Sequence, residues 1–109
     1  MKIAFLVQGS QADPYRVIFS RNGSDLTAHC SCAAGLVGQP CKHRLNILRG
    51  EMNEIVSGNA DEVASVAELL AGSPLEHLLN DLTTAETEEA ETKKRIKAIK
   101  KQLGRVMNG

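Results

Sequence analysis

The sequence predicts an α+β chain, strands first and helices after, ending in one long helix. Three observations carry this. Apolar residues alternate with a period of two as far as residue 32, they recur at helical spacing from about residue 45, and no Gly or Pro falls between Pro74 and Gly104. The aromatic residues, Phe5, Tyr15 and Phe19, all lie in the strand region, so the later elements must pack with Leu, Ile, Val and Ala. At 109 residues the chain holds one small domain and an appendage, and a core that thin calls for a staple.

Ile3, Phe5 and Val7 alternate with Lys2, Ala4, Leu6 and Gln8, and Tyr15, Val17 and Phe19 alternate with Arg16, Ile18 and Ser20, which makes two strands with the Asp13-Pro14 loop between them. Asn22-Gly23 predicts a type I′ hairpin turn with positive φ at both residues. Leu26, Ala28, Cys30 and Cys32 then share one face of the returning strand. Gly35, Gly38 and Pro40 predict a flexible knuckle. Leu45, Ile47, Leu48, Met52, Ile55 and Val56 read as a helix to about residue 57 that Gly50 bends or interrupts. A second helix, from about Asp61 to Ala71, turns Val63, Val66, Ala67 and Leu70 to one side, with Asn59 or Asp61 as cap and Gly72 closing it. Ser73-Pro74-Leu75-Glu76 combines an N-cap serine, a proline at the first helical position and a glutamate three residues after the cap. The helix it starts extends to about residue 107, roughly 50 Å. A second capping box from Thr83 and Glu86 offers the alternative of a break there.

The net charge of zero averages three unlike blocks. Residues 1–50 carry six Lys/Arg against two Asp, residues 51–92 carry eleven acids and no Lys or Arg, and residues 93–109 carry seven Lys/Arg and no acid. Such blocks point to charged partners or to self-pairing. Ile3 to Val7 is too short to span a membrane and the N-terminus lacks the regions of a secretion signal, so a cytoplasmic, soluble protein with no membrane partner is expected.

Three cysteines within twelve residues cannot all pair with one another and would close only short loops. Metal ligation accounts for the odd number. Cys30 and Cys32, two apart on a strand, present two thiolates to one side, and the knuckle returns Cys41 and His43 to meet them. Three sulfurs and an imidazole form a closed tetrahedral set suited to Zn2+, with no open position for a reacting water, so no enzyme and no small-molecule substrate are expected. Buried hydrophobic cysteines or a Cys-x-Cys redox pair would leave the spacing of His43 unexplained. His29 points to the other face of the strand and His77 stands alone in an acidic helix, so neither is a ligand.

The order Cys-x-Cys, eight residues, Cys-x-His, with Tyr15 and Val17 before it, Gly38-Gln39-Pro40 within it, and Lys42, Leu45 and Ile47 at and beyond its end, resembles the SWIM-type zinc finger over residues 15–50. The resemblance implies a ββα finger that binds DNA or protein, without choosing between them. It divides the chain into a finger domain (1–57), a short connecting helix (58–72) and a long amphipathic helix (73–109).

In that last helix Leu75, Leu82, Glu89, Ile96 and Leu103 recur by sevens, as do Leu78, Ala85, Thr92, Ile99 and Val106. This makes an a/d seam with one polar layer at its centre, which serves either self-association or packing on the chain's own domain. Self-association is favoured, because the small domain before it cannot cover a helix of roughly 50 Å. Parallel pairing would set Asp81 on Glu86 and Arg95 on Lys100. Antiparallel pairing sets Glu86 on Lys93 and Glu88 on Arg95, and Leu82 on Ile99, so an antiparallel homodimer is expected, with Leu75, Leu78, Leu82, Ala85, Ile96, Ile99, Leu103 and Val106 in its seam. Lys42, Arg44 and Arg49 beside the finger either neutralise a zinc site of net charge −1 or contact phosphate, and Lys97 and Lys101 extend the basic tail. The leading expectation is a dimeric, zinc-stabilised nucleic-acid-binding protein. The alternative is a protein-binding adaptor or inhibitor acting through the finger or the acidic middle segment.

Overall fold

A computed structural model describes residues 1–109. The chain divides into two compact units, Met1–Glu76 and His77–Gly109. In the first, three strands, β1 (Lys2–Val7), β2 (Tyr15–Asn22) and β3 (Asp25–Cys30), form an antiparallel meander in the order β1-β2-β3. The alternation read from the sequence selects the core face. Ile3, Phe5, Val7, Val17, Phe19, Leu26 and Cys30 are buried, and Phe5 meets Phe19 edge to face at 6.1 Å.

The hairpin differs from its prediction by one residue. Asn22 pairs with Asp25, so the central turn residues are Gly23 and Ser24, and only Gly23 has positive φ (62°). A turn with positive φ at its first central position alone is type II′, which wants Gly there and frees Asn22 to stay in the strand.

Helices cover the core face of the sheet. A single turn, α1 (Ala33–Leu36), follows β3, and α2 (Lys42–Leu48) buries His43, Ile47 and Leu48. The helix expected to reach residue 57 therefore stops nine residues early. Gly50, at φ 89°, ends it as a glycine C-cap, with Gly50 N–H donating to Ile47 O (3.0 Å) and Glu51 N–H to Asn46 O (2.9 Å). Residues beyond it turn back along β1. Ile55 bridges Val7, Val56 N–H donates to Leu6 O (2.8 Å), and Gln8 N–H donates to Glu54 O (2.8 Å). The apolar residues at 52–56 thus serve an edge strand in part, and Met52 and Val56 stay exposed.

A 3-10 turn at Ala60–Glu62 leads into α3 (Val63–Leu70), which buries Val63, Val66, Leu69 and Leu70 against α2 and β2. Leu69 takes the place expected of Ala67, which is exposed. Arg21 reaches from β2 to the end of α3, where Nη1 donates to the carbonyls of Leu69 and Ala71 (2.8 Å to the latter) and so satisfies groups that a helix terminus leaves without partners.

Helix α4 (Pro74–Met107) begins with all its expected signals in use. Buried Ser73 Oγ accepts from Glu76 N–H (3.3 Å), and Glu76 Oε1 accepts from Gly72 N–H (3.2 Å). It continues through residue 83 without a break. Thr83 Oγ1 donates back to Leu79 O (3.0 Å) and Thr87 Oγ1 to Thr83 O (3.0 Å), the bonds of threonine inside a helix rather than at a cap. Glu89 and Lys93 form an i,i+4 ion pair at 2.7 Å. No helix is long and apolar enough to cross a membrane.

Candidate metal centre

Four buried side chains, Cys30, Cys32, Cys41 and His43, converge at one end of the sheet, with their donor atoms all within 4.8 Å of one another. Cys30 comes from the last residue of β3, where the alternation already points inward. Ser31 fixes that strand end, its N–H donating to Arg16 O (3.1 Å) and its Oγ accepting from Arg16 N–H (2.9 Å).

Cys32 is not on the strand, as the sequence reading has it. It is the N-cap of α1, and its Sγ accepts from Gly35 N–H at 3.4 Å. The knuckle likewise has fixed structure. A Cβ on Gly35 would lie 2.2 Å from Cys30 O, so only glycine lets α1 close onto the end of β3. Gly38, at φ 77°, ends that turn as a second glycine C-cap, with Gly38 N–H donating to Gly35 O (3.2 Å) and Gln39 N–H to Ala34 O (2.9 Å).

The chain then delivers Cys41 as N-cap of α2 and His43 in its first turn. His43 Nδ1 lies 3.7 Å from Cys30 Sγ, while the ring packs on Tyr15 at 4.9 Å. Gly9 leaves room for that pair, because a Cβ there would lie 2.3 Å from the tyrosine ring. Arg44, one residue on, donates from Nε to Cys41 Sγ (3.2 Å), from Nη1 to Ala28 O (3.1 Å) and from Nη2 to Gln39 O.

The donor set fits zinc. Bonds of about 2.3 Å to sulfur and 2.0–2.1 Å to nitrogen at tetrahedral angles put a thiolate and an imidazole about 3.6 Å apart, close to the 3.7 Å found between Cys30 and His43. None of the three cysteines is in a disulfide. These residues form a cluster consistent with a SWIM-type Cys-x-Cys…Cys-x-His zinc-binding motif. No family model, curated protein or solved structure matches the chain. The assignment therefore stands on the geometry and on the donor chemistry.

Burial pushes the Cys30 thiol up to about 12, with the neighbouring thiols adding to it and the backbone N–H of Cys32 opposing. Burial also acts to raise Cys41, but the backbone N–H and guanidinium of Arg44, with the two other thiols, outweigh it and hold Cys41 below its ordinary value. His43 is lowered by burial and by the charge of Lys42, with Glu54 opposing, so its ring is neutral near pH 7 as a ligand must be. Bound here, zinc supplies a structural crosslink. With four protein ligands the site closes and no position is left for a water or substrate, which makes it a structural zinc finger rather than a catalytic centre.

The other sequence candidates lie elsewhere. Lys42, the first residue of α2, and Arg49, its C-cap, are exposed, as are Lys97 and Lys101 on α4. Leu78, Leu82, Ile96, Ile99, Leu103 and Val106 are exposed along α4, as is Ala85, and Leu75 is half-buried. His29 and His77 are exposed and outside the cluster. Gly9 carries no signal in the sequence that would mark it as part of a metal site, and Gly35, read only as a flexible knuckle residue, gives none of its close approach to Cys30, since each acts by omitting a side chain at a tertiary contact.

Proposed function

We propose that the chain is a zinc-stabilised interaction protein that binds nucleic acid through its finger and pairs with an antiparallel second copy through α4. The closed, buried Cys3His cluster carries the reading, because it spends a metal on holding one small surface in shape. Residues 1–57 act as the finger, 58–72 as connector and 73–109 as the pairing segment. Lys42 and Arg49 are exposed cations at the two ends of α2, and Lys97 and Lys101 add charge from the tail. Arg44 contributes charge rather than a directed contact, since its nitrogens donate within the finger. The reducing cytoplasm suits three unpaired thiols.

The pairing is supported by the apolar seam that α4 leaves exposed, from Leu78 to Val106. An antiparallel partner covers it, setting Leu75 on Val106, Leu82 on Ile99 and Ala85 on Ile96, with Glu86 on Lys93 and Glu88 on Arg95. A second reading, a protein-binding adaptor, is favoured by the exposed acids Glu51, Glu54, Asp61, Glu62 and Glu68 of the first unit.

Titration with single- and double-stranded nucleic acid at about 50 and 200 mM salt separates the two readings. Phosphate contacts give affinity that falls steeply with salt, with a log-log slope near −0.9 per neutralised phosphate on duplex DNA. Changing Lys42 and Arg49 together to Glu should abolish binding at constant zinc content, and Lys97→Glu with Lys101→Glu should weaken it less. No binding to either form at the lower salt would leave the adaptor reading.

A further inference from the structure

We infer that Arg44 is the positioning residue of the metal centre: its guanidinium fixes the Cys41 donor and ties the knuckle to the sheet edge, and so sets how tightly the finger holds zinc. The inference rests on the Cys3His cluster and is independent of nucleic-acid binding. The edge strand, the end of the knuckle and the N-cap of α2 meet at this one side chain. Nε donates to Cys41 Sγ at 3.2 Å, Nη1 to the carbonyl of Ala28 on β3 at 3.1 Å, and Nη2 to the carbonyl of Gln39 in the knuckle. Because β3 is an edge strand, its outward carbonyls lack a strand partner, and Arg44 supplies one.

The chemistry suits a thiolate ligand. Three thiolates and a neutral imidazole leave zinc with a net charge of −1, and Arg44 places one positive charge against it, through a bond directed at the sulfur. Only a planar fork makes all three contacts at once. A lysine at this position would supply the charge but not three fixed donors. Two other donors to the cluster, the Cys32 backbone N–H on Cys30 and the Gly35 N–H on Cys32, are main-chain groups. Arg44 is thus the side chain through which the sequence can tune the site.

The test uses the full chain and the metals alone. Zinc affinity is measured by competition with a chromogenic chelator, and Co2+ is bound in place of zinc to read the sulfur-to-metal charge-transfer band. Arg44→Met should weaken zinc binding by about 10–100-fold, the range for lost outer-sphere partners. Its band should move to lower energy, because a sulfur that loses an N–H donor gives up an electron more readily. Arg44→Lys should lose at least about ten-fold, and it carries the test if the Met variant does not fold. Lys2→Met, which removes an exposed cation of β1 with no bond to sulfur, should keep wild-type affinity and spectrum. Wild-type affinity in Arg44→Met, wild-type affinity in Arg44→Lys, or an equal loss in Lys2→Met would each overturn the assignment.

Discussion

At the scale of single residues the finger depends on side chains that are missing as well as on those that ligate. Gly35 and Gly38 stand three apart in one knuckle and are glycine for different reasons. Gly38 has open space around its Cβ position and a φ of 77°, whereas Gly35 faces the Cys30 carbonyl at 2.2 Å. Gly38→Ala should therefore cost about 1–2 kcal/mol of backbone strain. Gly35→Ala must push α1 off the strand end, with an overpacking cost of about 1–3 kcal/mol together with loss of the Gly35 N–H bond to Cys32. In thermal unfolding of zinc-loaded protein, each kcal/mol should lower Tm by roughly 4–8 °C in a domain of this size. Gly35→Ala should also weaken zinc binding and Gly38→Ala should not. A Gly35→Ala variant with unchanged Tm and zinc affinity would contradict the packing described.

At the scale of elements, periodicity located the three strands and the helices α2, α3 and α4, but not the single turn α1, which falls in the stretch read as a flexible knuckle, and not every end. The strands follow the alternation, and α4 follows its Ser73 to Glu76 start. The end of α2 does not follow, because Met52, Ile55 and Val56 continue a helical spacing that Gly50 has already terminated, and Ile55 is claimed by Val7 across the sheet edge. Helix α4 tests the meaning of periodicity most directly. Its charged residues give little drive toward a core, while Ile96, Ile99 and Leu103 are each about half exposed on one stripe. Replacing Leu82 and Ile99 with Asp puts charges into apolar layers of the proposed seam and should give monomers at concentrations where wild type pairs, without changing zinc content. Light scattering across a dilution series measures this. A wild type that stays monomeric throughout would remove the pairing proposal.

At the scale of the whole molecule, zinc is expected to be the staple that a thin core of this size needs. Protein purified without added metal should hold one zinc per chain, and Cys41→Ser should lose most of it. Chelation should unfold residues 15–50 and lower Tm, because binding energy at such a site is folding energy. Acid should act in the same direction. The folded pKa of His43 is lowered from 6.5, so its contribution is fully present above 6.5 and is lost as pH falls through the depressed value. The thiolates take up protons on the same path. Zinc content and Tm should hold steady above neutrality and fall together as pH drops below 6.5. A Tm indifferent to chelator and to this acidification would show that the fold does not need the metal.

The sequence by itself determined the four ligands, the strand alternation, the start of α4 and the apolar stripe along it, because each is a matter of spacing along a chain whose local geometry is fixed. The 3.6-residue and two-residue periods are properties of the backbone, and ligand order is read directly. Only the tertiary structure decided the placement of Cys32 at a helix N-cap, the roles of Gly9 and Gly35, the return of Ile55 to β1 and the three-way bond of Arg44. Each of these depends on which distant atoms share a few ångströms of space. A Cβ clash with a carbonyl five residues away, or a guanidinium shared by a strand, a knuckle and a helix, has no period and no motif, and it exists only once the chain has folded around it.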